Sequence, residues 1–424
     1  MNFFFYAMAC ALAAGVPPPS GSSATHDEGA SAPLIEDGKP SIADGTTPEP
    51  SPLPAEYKTL FQNEDIKVNW GGQIFYDWGW FSADDGYPAG DADGAEFRTA
   101  RLWAEGTIYE KVRFKAQYDF AGNAGSTAAL KDVWMAIDTF VGELMVGHFK
   151  EPFSLEQLTS SRFITFEERS LHDVFTPART DGIQLSGANE AASLNWALGL
   201  FRDDGGGDSG FDTGDGENSV TGRIAGTLFN RNEGADVLHL GVSATVRQDQ
   251  SGTVTFADRP EAHLLNKIPY ATFASDGFNA ENLEAAWVRG PLSLQGEYAL
   301  TQADVAGAPD ADFSGTYAQV SYFLTGEHRN YKAKGAKFDR VKPAENFDGH
   351  GFGGAWELAA RFSMNDFDDG PSTNQTTNYT AGVNWYLNPN TRVMLNYIHS
   401  NYEDDPANLD ENGDFLTLRF QVDW

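Results

Sequence analysis

The chain holds one cysteine in 424 residues, Cys10. That excludes a disulfide framework and a cysteine-based metal site. Cys10 lies in an apolar leader, so the rest of the chain has no thiol, which suits export through an oxidising periplasm. No stretch of 18 or more apolar residues is present, which excludes a spanning helix. Cations are scarce too: 29 Lys and Arg face 61 Asp and Glu, a formal net charge of −32. A nucleic-acid partner needs Lys and Arg to neutralise phosphates, so none is expected. Catalytic signatures are also missing. His148, His172, His239, His263, His328, His350 and His399 stand at no metal-ligand spacing. Asp410, Asn412 and Asp414 supply only part of a calcium loop. No nucleophile elbow, P-loop or dinucleotide fingerprint appears. The expectation is no catalytic residue, no cofactor and no metal.

What is present is aromatic and glycine-rich: 30 Phe, 15 Tyr, 10 Trp and 44 Gly. Those residues suit strands, turns and interfacial girdles. The apolar stretch Met1 to Val16 reads as the core of a signal peptide covering residues 1–24, with Cys10 offering a lipoprotein alternative. Residues 25–60, rich in Pro, Ser, Gly and acids, read as a disordered periplasmic linker. Residues 61–424 change character. Segments of roughly ten residues alternate apolar and polar between Gly, Asp, Asn and Pro clusters, the pattern of a transmembrane barrel.

Val112, Phe114, Ala116, Tyr118 and Phe120 share one face, and Arg113, Lys115, Gln117 and Asp119 the other. Leu194, Trp196, Leu198 and Leu200 form a second apolar row; Leu238, Leu240, Val242, Ala244 and Val246 a third. Alternation alone also fits a soluble sandwich. Three features favour a barrel in lipid. Leu416, Leu418, Phe420, Val422 and Trp424 lie on one face of a final strand that ends in an aromatic. About sixteen segments can be placed, a number that leaves an aqueous channel and no unpaired edge. Trp78, Trp80, Tyr109, Tyr298, Tyr322, Trp385, Tyr397 and Tyr402 fall towards segment ends, where girdles sit. The fold class expected is therefore all-β: a transmembrane antiparallel barrel of about 16 strands in the bacterial outer membrane.

One stretch breaks the alternation. Glu151 to Arg179 is long yet rich in Pro152, Leu155, Leu158 and paired charges, and a long ordered loop in a compact protein is usually functional. It is expected to fold into the lumen as a constriction. Strand parity places Arg101, Arg113, Lys115, Arg223, Arg247, Arg361, Arg392 and Arg419 on the lumen face. Such a lining lowers the entry cost of an anion. The alternative is that these cations pair with Asp119, Glu105, Glu357 and Asp423 and leave little net field.

A run of motifs carries a family resemblance. It includes Phe97 to Leu102 (FRTARL), Phe114 to Gly122 (FKAQYDFAG), Leu130 to Asp132, Gly147 to Glu156 (GHFKEPFSLE), Ser160 to Leu171 (SSRFITFEERSL) and Asp181 to Ser186. Later come Pro260 to Leu264, Gly290 to Tyr298, Tyr322 to Tyr331, Trp356 to Arg361 and Asn384 to Pro389. Together they resemble the phosphate-selective porin O and P family across nearly everything after the linker. The resemblance implies a sixteen-stranded trimer whose pores are narrowed by an inward loop and lined by basic residues. Arg98 and Arg101 match the family's Phe-Arg-x-Ala-Arg stretch, with Thr99 where relatives often carry another Arg. Lys150, Arg162, Arg169 and Arg179 match basic positions around the constriction.

The combined expectation is a porin for small anions such as phosphate or polyphosphate. It would be a homotrimer embedded in outer-membrane lipid and lipopolysaccharide, recognised by the barrel assembly machinery through the strand ending in Trp424. Two rivals stand beside it. One is a general or cation-preferring diffusion porin on the same fold; the other is a secreted all-β hydrolase or carbohydrate-binding protein.

Overall fold

A residue pattern of period two becomes structure only if each strand finds partners on both sides, because lipid offers no hydrogen bond to an open edge. The computed structural model shows how the chain meets that demand. It describes residues 59–424 apart from 122–128, 205–208, 210, 213–214, 249–251, 371, 406 and 408. The signal peptide and nearly all of the expected linker lie outside the described residues.

The strands are β1 (Thr59–Gln62), β2 (Ile66–Ala83), β3 (Gly94–Ile108), β4 (Val112–Asp119), β5 (Ala129–Asp138), β6 (Glu143–Lys150), β7 (Arg179–Ala188) and β8 (Leu194–Asp204). They continue with β9 (Phe211–Asp212), β10 (Asp215–Arg231), β11 (Asp236–Gln248), β12 (Val254–Asp258), β13 (Ile268–Phe273), β14 (Gly277–Arg289) and β15 (Leu292–Ala303). The last are β16 (Ala311–Phe323), β17 (Asn330–Lys332), β18 (Lys337–Asp339), β19 (Ala355–Asp366), β20 (Asn374–Asn388), β21 (Thr391–Asp404) and β22 (Leu409–Asp423).

Sixteen of these form one antiparallel barrel. Each pairs with the next, and β2 pairs with both β3 and β22, which closes the ring. The short β1 is an added hairpin arm on β2. Parity came out as the alternation requires: Leu198, Leu200, Val242 and Val246 point outward and are exposed, whereas Arg223, Arg247 and Arg361 point inward and are buried. Of the expected girdle aromatics, Trp78, Trp80, Tyr109, Tyr298, Tyr322 and Tyr397 are exposed. Tyr402 is not among them: it faces inward, 6% exposed, and packs in an aromatic core.

Two ends are distinguishable. At one, six connections are turns of two to five residues; at the other, all but the four-residue β21–β22 connection are longer. Short turns face the periplasm and long loops face outside in such barrels. The segment 324–354 breaks this rule, because it is long yet lies at the short-turn end.

Three insertions fill much of the interior. The Glu151–Ala178 segment between β6 and β7 is mostly buried, with no exposed residue, and carries the one-turn helix α1 (Leu155–Leu158) and a 3₁₀ turn at Leu171–Phe175. This is the inward-folded loop the broken alternation predicts. On the long-loop side, β9, β12 and β13 form a small sheet. Its Phe211, Phe256, Tyr270 and Phe273 join Phe175, Phe278, Phe313 and Phe367 in one apolar cluster. Tyr270 stacks on Phe367 at 5.1 Å, nearly parallel. From the other end, the β17–β18 hairpin reaches up to touch α1, with Phe338 and Tyr331 packed against Leu155, Val237, Ala286 and Val288. What stays open is a channel along the β2–β8 side.

Candidate functional site: a constricted lumen

The open lumen is a cavity of about 1450 Å³. Its wall is β2 to β8, and its other side is made of the constriction loop, the 258–267 loop and the β17–β18 hairpin. Two irregularities aim charge into it. Between Phe75 and Tyr76 the register of β2 and β3 slips, so Arg98 is an extra residue beside Thr99 and both face the lumen. On β5, Lys131 and Asp132 together oppose Gln117, and both line the cavity. A bulge re-aims a side chain that strict alternation would send to lipid.

One charged zone of the lining centres on Asp132. Its carboxylate accepts from Lys115 Nζ at 2.9 Å and from Arg179 Nε at 2.6 Å. Lys150 donates to the Gln157 carbonyl and faces Arg169, Arg179 and Lys337 across the same space. Arg169 donates weakly to the Gln157 and Thr159 carbonyls and lies 3.9 Å from Asp173. Five cations thus meet two carboxylates, Asp132 and Asp173. The low-dielectric surroundings make that imbalance felt by any ion passing through.

Other expected lining residues are balanced. Arg98 makes a two-pronged pair with Glu168 at 2.7 and 3.0 Å. Burial works against the Glu168 charge, but Arg98 and Arg419 outweigh it and hold the carboxyl well below its ordinary range. Arg101 pairs with Asp119 at 2.6 Å. Arg113 bridges Asp138 at 2.7 Å and Glu143 at 2.5 Å near the periplasmic end. Arg162 lies over the Trp103 and Phe163 rings, with Asp423 at 3.9 Å.

The structure places Arg247, Arg361 and Arg392 elsewhere. They are buried behind the constriction loop and do not border the cavity. Arg247 pairs with Glu151 at 2.9 and 3.1 Å. Arg361 pairs with Glu261 at 2.7 Å and donates to the Glu168 carbonyl at 3.1 Å. Arg392 donates to the Ile164 carbonyl at 2.8 Å. Asn384 and Gln421 grip the Thr165 and Arg162 carbonyls, and Arg419 that of Glu167. Five side chains from the four successive strands β19 to β22 therefore clamp the main chain of residues 162–168. Parity put these arginines inside correctly; it carries no information on whether inside means open water or a packed loop. Arg223 borders the cavity, but its guanidinium is spent on Glu284 and on the Gly335 and Ala336 carbonyls of the hairpin turn.

Lys131, Arg259 and Lys267 line the cavity without having been anticipated, and so do three cations on one hairpin. Lys332, Lys334 and Lys337 of the β17–β18 hairpin line the cavity. None meets an acid at ion-pair distance among the described residues. The segment has no long alternating run and sits at the end where turns are short, so neither signal marked it. The dense Lys332, Lys334, Lys337 spacing was the available clue.

A closed sixteen-strand wall, a loop folded into it and a lumen rich in lysine and arginine decide the class. The phosphate-selective porin O and P model matches residues 68–424. The chain belongs to that family. It is an outer-membrane porin. Porin O of Pseudomonas aeruginosa is 27% identical over 403 residues, covering 85% of this chain and 89% of that protein. Among solved structures, the outer-membrane channel DcaP of Acinetobacter baumannii matches with a TM-score of 0.55 at 10% identity, covering 86% and 99% of the two chains. An anion-selective porin from Comamonas acidovorans matches with a TM-score of 0.52 at 15% identity, covering 84% and 100%. At those identities the two structures speak for the porin fold alone.

Proposed function

We propose that this porin passes small anions, inorganic phosphate among them, by diffusion through the lysine–arginine zone around Asp132. The observation that carries the reading is the excess of cations there: Lys115, Lys150, Arg169, Arg179 and Lys337 against Asp132 and Asp173, with Lys332 and Lys334 below. Arginine offers a fork of donors to phosphate, and lysine a mobile point charge. The chain's overall −32 does not contradict this, because a pore reads the local field and not the sum. Nothing in the lumen requires catalysis. The family's own label agrees with anion preference.

Assembly as a homotrimer in lipid and lipopolysaccharide belongs to the same proposal, as does recognition of the C-terminal strand by the barrel assembly machinery. Trp424 completes that strand: it exchanges backbone hydrogen bonds with Gly72 at 3.0 and 3.3 Å and packs edge-on against Trp70.

The test is the zero-current potential of the purified protein in a planar bilayer under a KCl gradient, followed by phosphate titration. An anion-selective potential with phosphate-dependent block is expected. A cation-selective potential without block would assign the field to the acidic loops and overturn the proposal in favour of a cation-preferring pore.

A further inference from the structure

The cations of the lumen account for attraction of an anion, but the wall beside them carries aromatic surface that an inorganic ion does not use. Trp103 on β3 and Trp134 on β5 both line the cavity. Lys115 of β4 lies between them: it is the direct cross-strand partner of Trp134, and its Nζ is 5.7 Å from the centre of the Trp103 ring. Arg162 of the constriction loop lies over the same Trp103 ring at 5.0 Å. Met145 on β6 extends the apolar stretch. Both tryptophans are half-buried, and among the described residues neither indole N–H meets an acceptor.

Chloride and phosphate gain little from such a wall. The face of an aromatic ring is the negative end of its quadrupole, so it attracts cations and not anions. A strongly hydrated ion would also shed water against a surface that returns few hydrogen bonds. An anion with a flat apolar body gains twice. Its body covers the indole, and its carboxylate meets Lys115, Arg162 or an indole N–H. A small aliphatic carboxylate of equal charge gains only the second. Both cations lie over the Trp103 ring and, among the described residues, the Trp134 ring carries none, which places apolar surface and positive charge within one solute's length.

We propose that the Trp103–Lys115–Trp134 stretch is a subsite for organic anions with an aromatic body, aromatic carboxylates being the class. The proposal deepens the anion-pore reading and rests on it.

The experiment measures block of chloride conductance through the native protein by benzoate and by acetate. Benzoate is expected to block at about tenfold lower concentration than acetate, a ratio equivalent to about 1.4 kcal/mol. Trp134→Leu and Trp103→Leu should each bring the ratio towards one, while Trp134→Phe should keep most of it. Heat-modifiable migration on a gel confirms that each variant has folded. Equal block by the two acids in the native protein overturns the proposal without need of any variant. So does a benzoate preference that survives both leucine substitutions, because the tryptophans would then serve only to hold Lys115 and Arg162. The KCl potential separates the two levels: an anion-selective pore with equal block loses only the subsite, whereas a cation-selective pore loses the anion reading as well.

Discussion

Arg361 and Lys337 both point into the barrel, yet one braces a loop and the other faces the channel. The difference is local. Arg361 is 4% exposed, lies over the Phe166 ring at 4.4 Å and is matched by Glu261 and Glu156. Lys337 has no such partner. Burial pushes its ammonium down to about 8, Lys332 adds to the push, Asp132 opposes it, and Arg223 and Lys115 add again. A lysine with a depressed value is charged below it and neutral above it, so each pore loses one positive charge as pH rises through about 8. Anion selectivity should therefore fall between pH 7 and pH 9, read as a shrinking zero-current potential. In Lys337→Gln the potential at pH 7 should already be smaller and the step should be gone. A native potential that stays flat across that range would show that Lys337 is not in the ion path. At this scale the sequence was half legible. Period-two parity sorted Arg101, Arg113 and Lys115 from Val112 and Phe114. It had no means of finding a bulge, so Arg98 and Arg101, three apart, share the lumen only because the register slips between them.

The constriction loop was legible as an element because it interrupts a periodic chain without becoming slack. What holds it was not legible, since the anchors come from remote strands. Glu297 on β15 is the clearest case. Its carboxylate accepts from the Leu155 and Glu156 main-chain N–H groups at 2.9 and 2.7 Å, from Asn282 at 2.9 Å and from the Tyr317 hydroxyl at 2.7 Å. The first turn of a helix leaves such N–H groups without internal partners, and an anion there satisfies them. Ser154, held at a φ of 61°, caps the same turn by accepting from Gln157 at 3.1 Å. Glu297→Ala removes four acceptor contacts and leaves buried donors unpaired, a cost of roughly 1–3 kcal/mol for each group not rescued by water. The barrel ladder is untouched, so the protein should still fold, with heat-modifiable migration intact. The loop should loosen, seen as larger and noisier single-channel currents than those of the native pore. Quiet currents of native size would mean that the clamp on residues 162–168 suffices alone. The periplasmic-side hairpin escaped notice for the opposite reason: it resembles neither a strand of the wall nor a turn, and its fit depends on Asn195, Arg223 and His239 reaching across from β8, β10 and β11.

At the scale of the whole molecule the barrel turns a soluble protein's logic inside out, and this explains why the fold was more legible than the site. Every strand must show apolar residues to lipid at alternate positions, so the signal repeats sixteen times and errors in one strand hardly matter. The site draws on single residues from three insertions that are used once each. The outward rows make a quantitative claim. Val242 lies midway along β11, points outward and is 46% exposed, with Leu240 and Ala244 on the same row. Its neighbour Ser243 points inward, 2% exposed, and its hydroxyl accepts from the Ser154 N–H of the constriction loop at 3.3 Å. An arginine at mid-membrane depth on the lipid face costs about 2–4 kcal/mol, falling to nearly nothing near the interfaces. Val242→Arg should therefore lower the unfolding free energy by that amount in a detergent or vesicle titration, while the currents of the folded fraction keep their native size and selectivity. Ser243→Ala, one residue away, should do the reverse: little change in stability, and a disturbed constriction. Interchange of those two outcomes would mean that the wall is turned the other way, with β11 showing its polar row to lipid, and the whole parity of the barrel would have to be shifted by one.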